Sequence, residues 1–396
     1  MPAVTRSRPA SRPVPPWPSD SRAASTASVA RLTPFGVQPP KPSSEGFFFW
    51  GAAFDQGQPE GPMSCLKPWV SFPILSEGVT ISYSECHRFT HQNNLETHAM
   101  TQYHAAHPIV PRERLDFHLG DADIPKYWFG GDAYKTRLFD ALSLIFPPGE
   151  KFFMTCVRDY RDQITDPKLL DEIKGFNRQE AQHSMVHNQY NDRLRTQGID
   201  VDRLMGWLED LLFNKYRNKR SRAYTLAITC GLEHFTSIGA HSLFDKRDVL
   251  KEADPRVRAM YAWHAIEEVE HKGVAYDVMI DYAKVGNFTR ILAMLETSLI
   301  FPIVIHHFCD ELLKADGFSW WERRKMHVKG FWWAFKPGGL VAPMIKAYFP
   351  YYRMDFHPWQ ETDQPGYDEW LAGFNKNRDP IEASEHMRAL LGAVAR

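Results

Sequence analysis

From Asp116 onward, apolar residues recur at intervals of three and four rather than two, the spacing of helices with one buried face. The pattern predicts a first helix from about Thr136 to Ile164, interrupted at Pro147-Pro148-Gly149, where a new helix opens with proline in its first turn. A second runs from about Pro167 to Gln197 and stops before Gly198. A shorter one near Val201–Tyr216 precedes a third long helix over Ser221–Leu243, and a fourth follows Asp254-Pro255 and extends to about Lys284. No stretch here alternates as a strand does. The expected class is all-α, a ferritin-like four-helix bundle with additional C-terminal helices and a disordered N-terminal extension.

Upstream the chain has another character. Residues 1–45 are rich in Pro, Ser, Ala and Arg, with Asp20 the sole acid before Glu45, and cannot bury enough apolar surface to offset the entropy of ordering. The same make-up resembles a transit peptide. Residues 46–99 hold no sustained period, and a start of translation at Met100 is a further reading. The expected organisation is a disordered or spurious extension over 1–106, a metal-binding bundle over 107–285 and a helical region over 286–396 packed on it.

Composition changes this picture little. A net charge of −1 gives no reason to propose nucleic acid as a partner. Five cysteines without a CxxC pair read as reduced thiols, and the start lacks a secretory signal pattern, so the expected location is cytoplasmic.

The chemistry sits in two signatures, Glu180-Ala-Gln-His183 and Glu268-Val-Glu-His271. Residues three apart lie on one helix face about one turn apart, so a carboxylate and an imidazole there can reach one ion together. Di-iron and di-manganese carboxylate bundles pair two such Glu-x-x-His helices with one inward glutamate from each of two others. Glu150 and Glu233 supply these on the preceding helices. Glu150 shares a stripe with Phe153, Met154 and Val157, while Glu233 has Thr229, Cys230, Thr236, Ser237 and Ala240 at helical spacing, leaving room for a substrate. The interval from Glu150 to Glu180 is close to that from Glu233 to Glu268, as in a repeated pair of helices. A lone Glu-x-x-His on a solvated face carries no function; two of them, each preceded by an inward glutamate, are much harder to produce by accident.

Helix geometry sorts the neighbouring acids. Counted from His264 at ~100° per residue, Glu268 and His271 fall within about 40°, Glu267 about 60° away and Glu270 about 120° away. His264 therefore joins Glu268 and His271 as a candidate ligand, Glu270 points elsewhere, and Glu267 supports a ligand or pairs with a base. His187 extends the first motif and is either an extra ligand or an orienting group. Four converging carboxylates repel unless cations bind, and two divalent ions balance them. Mixed carboxylate and imidazole donors suit Fe or Mn, with Zn also accommodated.

Residues from about 110 to 375 resemble the bacterial predicted metal-dependent hydrolases, through Ile124-Pro-Lys-Tyr-Trp-Phe-Gly-Gly-Asp132, Pro148-Gly-Glu-Lys-Phe-Phe153, Gln179-Glu-Ala-Gln-His183, Trp263-His-Ala-Ile-Glu-Glu-Val-Glu-His-Lys272 and Asp355-Phe-His-Pro-Trp359. The ligand pattern alone also resembles ferritin-like di-iron N-oxygenases, whose fourth helix carries His-x-x-x-Glu-x-x-His, matched by His264, Glu268 and His271. That likeness implies O2 activation with an electron donor on a small organic substrate, and this oxidation is the favoured expectation. Metal-dependent hydrolysis through an activated water is the alternative, and non-enzymatic metal binding a third reading.

Ile291–Ile305 is apolar, but at about 15 residues it falls short of the ~20 that span a bilayer, so a buried helix covering the bundle is expected. Trp320-Trp-Glu-Arg-Arg-Lys325 and Lys329-Gly-Phe-Trp-Trp-Ala-Phe-Lys336 mix tryptophan with basic residues. They suit peripheral membrane contact, an apolar or acyl substrate, or a helix packed over a pocket.

Overall fold

Aspartates start four of the helices. In the computed structural model, which describes His104 and residues 107–244, 249–361 and 366–394, helix α1 (Ala133–Arg158) begins where Asp132 accepts from Lys135 N. Asp166 caps α2 (Pro167–Thr196), Asp200 caps α3 (Val201–Glu209) and Asp254 caps α5 (Pro255–His271). In α2 and α5 a proline occupies the first turn, where its missing N–H costs nothing. Helix α4 (Arg222–Phe244) lies between α3 and α5 in the chain. The readings of residues 1–99, including disorder, a transit peptide and a start at Met100, lie outside the described residues.

The architecture is all-α. Among the described residues, strand pairing is limited to one isolated bridge between Phe129 and Ala253. Helix α1 packs along α2, α4 packs along α5, and α7 (Asn287–Ala315) lies against both α1 and α4. Helix α8 (Trp320–Phe335) follows, with α9 (Ala342–Tyr348) resting on α4. The last two are α10 (Tyr367–Asn377) and α11 (Pro380–Val394), with α11 docked on α5. Helix α5 is thereby enclosed, and every residue from Val257 to His271 is buried.

Three expectations are corrected here. Pro147 and Pro148 do not start a new helix; α1 runs through them. Pro147 cannot donate to the Ser143 carbonyl one turn back, and the Asn191 side chain donates to that oxygen instead, at 3.1 Å. The fourth long helix, expected to reach Lys284, breaks after His271 and resumes as α6 (Val274–Asp277), which continues in a wide π-type turn over Val278–Tyr282. Gly273 marks the break: the Trp359 indole lies against it, and a Cβ there would collide with the ring. Finally, the apolar segment is not a wholly buried helix. It belongs to the 29-residue α7, long and apolar enough to cross a membrane by length and composition alone. One face of α7 (Arg290, Phe308, Cys309, Leu312) is fully buried against the protein, while Phe288, Leu295 and Leu299 are exposed.

Candidate metal centre

Helices α1, α2, α4 and α5 each bring acidic or imidazole side chains to one buried place. Glu150 comes from α1, Glu180 and His183 from α2, Glu233 from α4, and His264, Glu268 and His271 from α5; all seven are buried. His271 Nε2 stands 3.5 Å from Glu180 Oε1 and 3.6 Å from both Glu233 Oε2 and Glu268 Oε2. On the other side, His183 Nδ1 is 3.7 Å from Glu180 Oε2 and 3.6 Å from Glu268 Oε1. His264 Nε2 lies 3.0 Å from Glu268 Oε1 and 4.0 Å from Glu150 Oε1.

Two groups emerge that could each hold an ion, Glu150 with His183 and His264, and Glu180 with Glu268 and His271. Glu180 and Glu268 turn one oxygen toward each group. Donors ~2.1 Å from a shared ion stand roughly 3–3.5 Å apart, and these separations, from 3.0 to 4.0 Å, lie at or a little above that scale.

The hydrogen bonds behind the histidines determine which nitrogen faces inward. Ser143 Oγ donates its one proton to Asn191 Oδ1, so toward His187 Nδ1, 2.9 Å away, it accepts. A neutral His187 then offers a bare Nε2 to His264 Nδ1–H at 2.8 Å, which leaves the His264 Nε2 lone pair aimed at the carboxylates. Gln179 does the same for His271: its amide nitrogen donates to Glu270, and its Oε1 accepts from His271 Nδ1 at 2.9 Å. His183 points Nε2 at Glu267 Oε2, 3.2 Å away, and Nδ1 at the centre. In the neutral form His264 and His271 thus turn an unprotonated nitrogen to the centre, and His183 turns Nδ1 to the same place, while, against its burial, Glu268 and Glu233 pull His271 toward protonation.

The structure places His187 and Glu267 behind the inward-facing histidines. His187 backs His264 from behind, and Glu267 backs His183. Glu270, which the helical angles turn away from the centre, reaches Arg112: Arg112 Nη2 donates to Glu270 Oε1 at 2.6 Å, and Arg112 Nη1 to Glu267 at 3.2 Å. Tyr367 OH adds a bond to Glu270, and Trp263 Nε1 one to Glu267. Sequence reasoning did not find Arg112, Gln179, Ser143 or Asn191. The one signal available for the pairing was acids on more than one face of α5, which obliges buried partners once that helix is enclosed.

The donor set fits a pair of divalent cations and fits poorly without them. Both oxygens of Glu180 and of Glu233, Glu150 Oε1, Glu268 Oε2, His264 Nε2 and His271 Nε2 are buried without a hydrogen-bond partner. Burial raises the carboxyl pKa of Glu150, Glu180 and Glu233, the last to about 8, and at Glu180 the neighbouring Glu233, Glu268 and Glu150 push the same way. Burial also opposes the ionised form of Glu268, but His271 and His264 outweigh it and hold that carboxyl well below its ordinary range. Burial keeps His183 and His187 neutral, as ligation and the hydrogen-bond chain require. Ser184 Oγ donates to Glu150 Oε2 at 2.5 Å, so Oε1 is the Glu150 oxygen left for an ion.

A cavity of about 940 Å³ reaches the centre at His264 and Glu268. Thr236 and Ala240, among the small residues that follow Glu233, line it, and Phe139, Phe146, Phe235 and Phe301 give it an apolar wall.

A model of the family described as predicted metal-dependent hydrolase matches residues 111–362, well over half of the chain. This chain belongs to that family. The matched span contains every residue of the predicted metal-dependent hydrolase's candidate centre, from Glu150 to His271, together with Arg112. Comparison with curated proteins returns no match, and comparison with solved structures returns none either.

Proposed function

We propose that this chain is a dinuclear-metal hydrolase acting on a small apolar substrate with an ester-like or other acyl bond. The observation that carries the reading is the pair Glu180 and Glu268, each with one oxygen toward each donor group, beside three histidines that each turn one ring nitrogen to the same place. Family membership supports hydrolysis over other chemistries of such a centre. Bound there, two divalent ions would activate a water and polarise the bond to be cleaved.

The protein's own part is placement. Glu150 and Glu233 each belong to one side of the centre, whereas Glu180 and Glu268 tie the two sides together. Arg112 neutralises Glu267 and Glu270, so that Glu267 and, through Gln179, Glu270 hold His183 and His271 in register. The phenylalanine wall takes the apolar body of the substrate and keeps bulk water from the reacting bond, with His264 and Glu268 at its inner end.

A second reading, O2-dependent oxidation with an external electron donor, is favoured by one observation. Two Glu-x-x-His helices with inward glutamates from two more is the arrangement of di-iron and di-manganese carboxylate proteins.

The deciding experiment measures metal content on protein expressed in 57Fe medium, Mössbauer spectra of the reduced sample before and after O2, and cleavage of a chromogenic acyl-ester series. Two zinc or manganese ions per chain, or iron inert to O2, with ester cleavage lost on chelation, is the expected result. Coupled irons that consume O2 in protein that cleaves no ester would overturn hydrolysis for oxidation. No bound metal would overturn both.

A further inference from the structure

Helix α8 has two unlike faces. Its inner face packs on α1 and the segment before it: Gly330 receives the Tyr134 ring so closely that a Cβ could not fit, and Trp333 meets Phe129 edge-on. The opposite face exposes Trp321 (70%), Trp332 (67%), Val328 and Phe331. These fall within about 100° of one another on the helix, with Lys325, Lys329 and Lys336 beside them, ~40–80° from Trp321. On the neighbouring elements Leu299 and Ile303 of α7 and Ile345 of α9 are exposed as well.

The cavity opens in this face. Its lining grades from the buried His264 and Glu268 to the exposed Pro302 of α7, Phe331 of α8 and Phe349 just past α9. The mouth is framed by three helices whose outward side chains are large and apolar. A patch of this kind marks a docking surface rather than ordinary surface scatter. Its charge points to the occupant: residues 323–354 hold seven lysines and arginines and no acid. Although Arg323 and Arg324 pair with Asp310 and Arg353 with Asp355, the four lysines, Lys325, Lys329, Lys336 and Lys346, add positive charge to this face. A second copy meeting this face would set that positive charge against itself. An anionic membrane offers both what the tryptophans and what the lysines require.

We propose that the outer face of α7, α8 and α9 docks on the surface of an anionic phospholipid bilayer, placing the cavity mouth against the acyl region so that an apolar substrate enters from lipid. The docking stands apart from the chemistry at the centre; the substrate's route rests on the hydrolytic reading above. Helix α7 lies on the bilayer and does not cross it, because its inner face is buried against α1 and α4 along its length, from Arg290 to Leu313.

The test is flotation of the full chain with vesicles of phosphatidylglycerol and phosphatidylcholine against phosphatidylcholine alone, together with light scattering. Wild-type protein is expected to float with the anionic vesicles, less so in high salt. Lys329→Gln with Lys336→Gln weakens binding ~25-fold, at about fivefold per lysine. Trp321→Ser with Trp332→Ser abolishes flotation with helical content, metal content and cleavage of a water-soluble ester unchanged. Failure of the wild type to float, or flotation that neither pair of substitutions weakens, overturns the proposal. So does a dimer in light scattering that the tryptophan substitutions dissolve while vesicles stay unbound, which would assign the face to a second copy. Vesicle binding is read without any turnover, so a failed hydrolytic reading leaves this result intact.

Discussion

The surroundings of Glu180 and Glu268 and the outer face of α7–α9 reverse the ordinary partition of side chains. Around the two glutamates, acids, imidazoles and the Arg112 guanidinium are buried. On the outer face, tryptophan, phenylalanine and leucine stand in solvent. Charge inside and hydrophobe outside are both expensive arrangements, and each asks for a partner that the chain itself does not supply. For the interior a pair of cations would answer, since carboxylate oxygens without hydrogen bonds face one another. For the surface the proposed partner is a phase that accepts apolar side chains and prefers positive charge.

The largest effect that would break this comparison lies inside. Glu180→Ala and Glu268→Ala each remove an oxygen from both donor groups, so metal analysis should find both ions lost. Glu150→Ala and Glu233→Ala should each lose one. With each ion at about a thousandfold its Kd, losing both removes roughly 8 kcal/mol of stabilisation, visible as a large fall in Tm. Equal losses from Glu150→Ala and Glu180→Ala would refute the division into two sides.

Next comes the guanidinium. Arg112→Ala leaves Glu267 and Glu270 buried without a cation, at a cost of about 3–5 kcal/mol in urea denaturation. A cost under about 1 kcal/mol would mean that those carboxyls take up protons without the penalty of an unpaired buried charge.

A smaller effect sits where the two regions meet. Burial and the adjacent His306, with Arg324 adding to them, push the His327 pKa down to about 4, although Asp310 pulls the other way. The folded state therefore resists protonation there. Its stability is complete above the ordinary histidine pKa of 6.5 and falls as pH drops from 6.5 toward 4. The ring keeps some solvent contact, so the expected loss is on the order of 1 kcal/mol. Tm measured between pH 7 and 5 should fall less steeply in His327→Gln than in wild type; parallel curves would place the acid sensitivity elsewhere.

Smallest of all should be the stability change on the outer face. Trp332→Ser ought to stay within about 0.5 kcal/mol of wild type by thermal denaturation. A larger loss would show that the indole packs on the protein itself and is no free surface.

Much of the centre was legible because its spacing is short. Glu180 with His183, and His264 with Glu268 and His271, are one-turn relations that any helix enforces, and Glu150 and Glu233 stood out as acids on apolar or small-residue stripes. What supports the histidines was not legible. Arg112 lies 155 residues from Glu267 in the chain, in a segment without helical period. Gln179 and Asn191 act only because of where α5 and α1 pass. Local rules likewise misjudged Pro147-Pro148, since a side chain from another helix takes over the lost bond, and Lys272-Gly273, where Trp359 arrives from far along the chain. Hydropathy identified Ile291–Ile305 as apolar but could not tell which neighbours would leave half of that helix uncovered.

The imidazole of His183 faces the carboxylates through Nδ1, whereas His264 and His271 use Nε2. Nδ1 is two bonds from Cβ and Nε2 is three. The side chains therefore work as rulers of two lengths, the shorter reach at position 183 and the longer at 264 and 271. Asparagine, whose amide oxygen also ends two bonds from Cβ, spans the gap at position 183. At 264 and 271 only glutamine is long enough. The backbone spacing, more than the ring chemistry, thus dictates which replacements the centre can tolerate.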